Sequence, residues 1–123
     1  MGTRADRRLA LIVRGLPFGR RAPRADLDLA LAAAAMDFDL EVYFLGAALL
    51  QLAAERDGAA ALLPSGYRAW AALPGLAEVR VFGEREWLRR CERRGIDLAM
   101  PVEGLDPEQM RAGWRRCRQA LVV

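Results

Sequence analysis

The residues of this chain best suited to covalent chemistry are two cysteines, Cys91 and Cys117. Cys91 falls three residues after Leu88 and four after Trp87, which sets it on the apolar stripe of a helix. Arg90 and Arg94 nearby would lower its pKa, and an apolar seat would raise it. The stripe favours a core cysteine. Cys117 follows Trp114 by three and Met110 by seven, again a core stripe, leading into a last strand. Both thiols are expected to be largely buried and unpaired with each other, since two distant cysteines make no disulfide framework. With no CxxC and no His, they make a poor zinc site, so no metal centre is expected. The carboxylates provide no acid/base pair. Asp26 and Asp28 point apart on a helix, and Asp37 and Asp39 flank a helix-to-strand turn. Residues 15–24 (GLPFGRRAPR) form a loop with Gly15, Gly19 and three arginines. It has neither GxxxxGK[ST] nor GxGxxG, and the glycines read as turn residues.

The missing residue types exclude more. There is no His, no Lys and no Asn, and the only small hydroxyls are Thr3 and Ser65. Ser-His-Asp and Cys-His relays cannot be built. A phosphate-loop lysine and a Schiff-base lysine are excluded as well. No cofactor is implied by what remains. All 19 basic residues are Arg, each a rigid planar fork suited to carboxylate or phosphate.

The net charge of +3 is unevenly distributed. Residues 1–24 hold seven Arg and one Asp, and the rest of the chain balances at −3. Such a start could touch RNA or an acidic partner. A solvated tail and loop is the simpler reading, and direct RNA contact is not expected. The apolar run at 9–13 is too short for a signal peptide, and the stretch 27–35 is interrupted by Asp28, so no membrane span is expected. The expected compartment is the cytoplasm, with reduced thiols.

These residues must be positioned by a small α/β scaffold. At 123 residues, with 54% hydrophobic and 28% charged residues, one domain over 1–123 is expected, with residues 1–7 a flexible basic N-terminus. Strands are predicted near 8–14, 40–45, 78–82, 98–102 and 118–123. The fourth is weak, and Pro101 places it at an edge. Helices are predicted over 27–36, 47–55, 67–73, 84–94 and 107–116. Gly83 opens the fourth of these, Gly95 stops it, and Asp106-Pro107 caps the last. Strands alternating with helices predict a three-layer α/β/α sandwich around a mostly parallel five-stranded sheet with right-handed crossovers. Ligands in such sheets bind beyond the carboxyl ends of the strands, here the loops at 14–25, 45–47, 82–84 and 103–106.

The order of elements resembles the DsrE/DsrF-like family of small sulfur-relay proteins, in its TusC/DsrF branch. The likeness is carried by the apolar first strand and its Pro/Gly/Arg loop (9–24), and by Ala25-Asp-Leu-Asp28 opening an Ala-rich helix. Strand 40–45 follows, then Gly46-Ala-Ala-Leu-Leu-Gln-Leu52, and later Arg93-Arg-Gly95 at a helix end. The resemblance implies assembly with related DsrE/DsrH- or TusD/TusB-like subunits into a heterohexamer. It also implies passage of persulfide sulfur to a downstream sulfur-carrier protein. The destination would be wobble-uridine 2-thiolation of tRNA or dissimilatory sulfur oxidation. In the catalytic branch the acceptor cysteine follows the third strand. Phe82 and Gly83 hold that place here, and Cys91 comes about two helical turns later. The family's acidic turn after the second strand is replaced by Gly46-Ala47-Ala48. The expectation is therefore a non-catalytic subunit. Two rivals stay open: a persulfide-carrying thiol protein using Cys91, and a small-ligand or nucleotide-binding α/β module using the Arg-rich first loop.

Residues 47–70 carry apolar side chains on more than one side of each helical piece, where a core-facing stripe needs only one. Leu49, Leu50, Leu62, Leu63, Tyr67 and Trp70 are thus expected at a subunit contact. Tyr67 and Trp70 are its expected anchors.

Overall fold

A computed structural model describes residues 8–14, 32–33, 36, 38–53, 79–98 and 100–122. The described residues form a five-stranded parallel sheet in the order β4-β3-β2-β1-β5. Its strands are β1 (Arg8–Val13), β2 (Asp39–Phe44), β3 (Val79–Glu84), β4 (Glu103–Leu105) and β5 (Gln119–Val122). A 3₁₀ helix, Gly46–Leu52, follows β2. Helix α1 (Arg85–Arg93) joins β3 to β4, and α2 (Pro107–Arg115) joins β4 to β5.

The layering follows from side-chain alternation. On β1 and β2, Leu9, Leu11, Val13, Leu40, Val42 and Phe44 face one side of the sheet. There they pack with Val81, Leu49, Leu52 and Cys91. Ala10 and Tyr43 face the other side, with Phe82 and Met110 of α2. Steps from β1 to β4 run in one direction across the sheet, and the return to β5 reverses it. Right-handed connections fit what is described of them: Ala33, the 3₁₀ segment and α1 pack on one face and α2 on the other.

The strand positions read from sequence hold for β1, β2, β3 and β5 to within two residues. The fourth strand does not lie at 98–102. It begins at Glu103, pairing Glu103, Gly104 and Leu105 with Phe82, Gly83 and Glu84. Pro101 has no N–H for a ladder, and Leu98 instead makes a lone antiparallel bridge to Ala53. The edge position is as expected.

Two helix readings change. The segment after β2 is 3₁₀, with Ala53 N–H bonded to the Leu50 carbonyl. A three-residue turn stacks Ala48 over Gln51 and Leu49 over Leu52, and all four are buried. Gly83 does not open α1: it is a strand residue paired with Phe44 and Gly104, and Glu84 takes the N-cap position. A Cβ on Gly83 would lie 3.0 Å from Leu49 Cδ1 and 3.1 Å from Val102 Cγ1, so glycine suits the packing. Of the helix expected at 27–36, only Ala32, Ala33 and Met36 are described. Ala33 is buried, and Met36 N–H bonds the Ala32 carbonyl at 3.2 Å. The helix expected at 67–73 lies outside the described residues.

Two termini match their sequence signals. Asp106 accepts from Gln109 N–H at 2.8 Å while Gln109 Oε1 accepts from Asp106 N–H at 2.9 Å, a full capping box with Pro107 in the first turn. Gly95 follows α1 at φ +65°, the left-handed stop that glycine makes without strain.

Candidate functional site

The carboxyl edge of the sheet brings together Gly46, Glu84 and Trp87. Gly46 turns the chain out of β2 at φ +54°. Its N–H donates to Oε2 of Glu84, at the end of β3. Trp87 stands one turn into α1, its indole Nε1 3.7 Å from where a Gly46 Cβ would lie. Arg90 stacks its guanidinium 4.8 Å from the Trp87 ring centroid and pairs with Glu86 at 3.0 Å. Arg85 ties this edge to α2 through Gln109 Oε1 at 3.2 Å. The end of β3 thus presents a buried Phe82, a glycine and a carboxylate. Phe82 stacks on Tyr43 with centroids 4.8 Å apart and is turned into the core.

Neither cysteine lies at that edge. Cys91 is 3% exposed within the apolar cluster of its face, and burial pushes its thiol pKa up. Cys117 is half-buried rather than largely buried, because it stands in the bend after α2 with its Sγ 3.8 Å from the Gly113 carbonyl. Burial first, and then the charge of Glu41, push its thiol up to about 11; Arg8 and Arg116 pull weakly the other way. Both cysteines are free thiols.

Of the expected contact residues, Leu49 is fully buried in the core of this chain, so it offers nothing to a partner. The 3₁₀ geometry turns it onto the sheet beside Leu52. Leu50 is half-buried. Leu62, Leu63, Tyr67 and Trp70 lie outside the described residues, as does most of the Arg-rich loop.

The sequence reading missed a buried polar centre. Glu41, in the middle of β2, is 2% exposed. Its Oε1 accepts the Tyr43 hydroxyl at 2.6 Å, and its Oε2 lies 3.2 Å from Arg8 Nε. Burial and the bond to Glu41 drive the Tyr43 phenol well above its ordinary pKa. The signal was present: a charged residue between Leu40 and Val42 of a central strand shares a face with Tyr43, and a charge so placed must be paired. Across the described residues, no three His, Cys, Asp or Glu side chains gather where they could hold a metal ion. No described helix is long and apolar enough to cross a membrane.

Comparison with known proteins converges. Residues 7–82 match the DsrE/DsrF-like family model. The chain is 34% identical over 113 residues to "Protein TusC" of Klebsiella pneumoniae, covering 86% of this chain and 90% of that protein. Its fold is similar to the crystal structure of the ychN protein from E. coli, with a TM-score of 0.66 at 17% identity over 95% of this chain and 99% of the other.

Proposed function

The chain belongs to the DsrE/DsrF-like family, in its TusC/DsrF branch, and from that premise we propose that it is a non-catalytic subunit of a sulfur-relay complex. The complex passes persulfide sulfur between proteins. The relative named TusC favours tRNA wobble-uridine 2-thiolation over dissimilatory sulfur oxidation as the pathway served. Residues 1–123 act as one domain, in the cytoplasm, beside related TusD/TusB-like subunits in a heterohexamer. Leu50, Leu62, Leu63, Tyr67 and Trp70 contribute to the subunit contact.

The observation that carries the non-catalytic role is the end of β3. In a persulfide relay an acceptor thiolate attacks the outer sulfur of the donor persulfide. An S–S bond forms to the acceptor, the donor's S–S bond breaks, and the donor leaves as a thiolate. By the resemblance the catalytic branch keeps its thiol just after the third strand; β3 here runs past the expected Phe82 and Gly83 to Glu84, none of these nor Arg85 is a cysteine, and Glu84 sets a carboxylate on the Gly46 amide. A fixed negative charge there opposes an approaching persulfide anion. Burial pushes the Cys117 thiol up to about 11, so it holds its proton at neutral pH and makes a poor acceptor. The test is reconstitution with the related subunits. A Cys91→Ser/Cys117→Ser chain is expected to assemble and to support the wild-type rate of sulfur transfer. Loss of transfer from an intact complex contradicts the proposal.

A further inference from the structure

The last segment of the chain carries an unbalanced charge. Residues 109–123 hold Arg111, Arg115, Arg116 and Arg118 and no acid. All four arginines are exposed. The ion pairs of the described residues occupy Arg8, Arg80 and Arg90, and none involves these four. Helix α1 makes the contrast: its arginines alternate with Glu86 and Glu92, and Arg90 is paired.

The fold sets the four along α2 and at the entry to β5. Met110, Gly113, Trp114 and Cys117 turn toward the sheet, which leaves Arg111 and Arg115, one turn apart, on a flank of α2. Arg116 is the C-cap. Arg118 N–H bonds the Arg8 carbonyl at 3.1 Å, so the end of α2 abuts the start of β1. The cations therefore sit toward the amino edge of the sheet, opposite the edge that holds Glu84. Folding alone does not ask for them. The carboxyl end of a helix favours a cation or two, whereas like charges at i and i+4 repel.

An arginine fork fits carboxylates and phosphates alike, so the surroundings decide. Val122 is 56% exposed, and Ala112 and Ala120 are exposed beside the arginines. The one aromatic ring of the segment, Trp114, is half-buried and packs perpendicular to Tyr43 at 5.7 Å, so it is engaged with the core rather than set out as a stacking platform. Arginine is enriched at protein–protein interfaces, and the exposed Val122 adds apolar area beside the segment. We infer that the face carrying Arg111, Arg115, Arg116 and Arg118 docks an acidic segment of a partner protein, with Val122 and Ala120 receiving its apolar side chains. Docking at this surface needs no thiol chemistry, and it goes beyond the relay role.

The experiment measures binding of the full chain to a short labelled peptide of Glu with interspersed Leu, and to an oligouridylate of matched charge, across a salt series. The peptide is expected to bind more tightly than the RNA. An Arg111→Gln/Arg115→Gln/Arg118→Gln chain with an unchanged circular dichroism spectrum is expected to lose roughly tenfold or more in peptide affinity. The single changes Arg111→Gln and Arg118→Gln should each lose about two- to threefold, so the result stands even if the triple variant folds poorly. Val122→Ser should weaken the peptide and leave the RNA unchanged. Three results would overturn the inference: no peptide binding at low salt, folded variants that bind as wild type, or RNA bound more tightly than peptide.

Discussion

Glu41 is a buried carboxylate held by two partners. A carboxylate taken out of water needs a cation and hydrogen bonds, and Arg8 and Tyr43 supply them. Removing the cation alone is therefore costly. Arg8→Met should destabilise the protein by about 2–3 kcal/mol in urea unfolding, less than for a fully buried pair because Arg8 keeps contact with water. Arg8→Met with Glu41→Gln, which removes the charge and keeps an acceptor for the Tyr43 hydroxyl, should recover most of that loss; a double variant as unstable as the single would show that the ion pair is not the cause. Cys117 gives the same centre a pH signature. Its thiol holds its proton to about 11 in the fold, against 9.0 unperturbed. Above pH 9 the unfolded chain releases the proton first, so the native state binds more protons and stability falls as pH rises toward 11. Tyr43, raised for the same reasons, extends the fall above pH 10. Cys117→Ala should reduce the slope between pH 9 and 10 in denaturant midpoints, leaving the part due to the raised Cys91 thiol, and an unchanged slope would contradict the assignment.

At the scale of elements, what could be read in advance was what local chemistry writes. The Asp106-Pro107 start and the Gly95 stop are cap signals that need no tertiary partner, and both stand in the structure. Asp106→Ala should cost about 1 kcal/mol in thermal or urea unfolding. The fourth strand was misplaced because its pairing is set by β3, not by its own apolar run: 98–102 is the more hydrophobic segment, but Pro101 breaks its ladder. The turn after β2 reads as an α-helix by composition, and only burial of residues in a three-residue repeat makes it 3₁₀. Gly113 shows contact overruling propensity. Alanine normally gains about 1 kcal/mol over glycine inside a helix. Here its Cβ would overlap the Tyr43 hydroxyl and come within 3.0 Å of the ring. Gly113→Ala should therefore destabilise by about 1–3 kcal/mol, and a stabilised variant would show that α2 does not pack on Tyr43 as described.

For the whole molecule, alternation of strands and helices was enough to place the chain among α/β sandwiches. The strand order required the structure, since crossovers of equal length can step either way along a sheet. That Phe82 and Gly83 hold the place of a relay thiol was an expectation from the resemblance, and the structure sets both inside β3, which runs on to Glu84. What occupies that edge, Glu84 on the Gly46 amide, depends on a contact 38 residues apart in sequence. The buried Glu41 was written in the alternation of β2 and went unread, because a glutamate between hydrophobic residues looks like a solvent-facing position until the second helix layer is counted. The central claim is that sulfur passes through the complex without resting on this chain. The measurement is mass spectrometry of the assembled complex during turnover with a persulfide donor. The account predicts added sulfur on a partner subunit while this chain keeps its unmodified mass. Added sulfur on Cys91 or Cys117, formed and discharged at the rate of transfer, would contradict it.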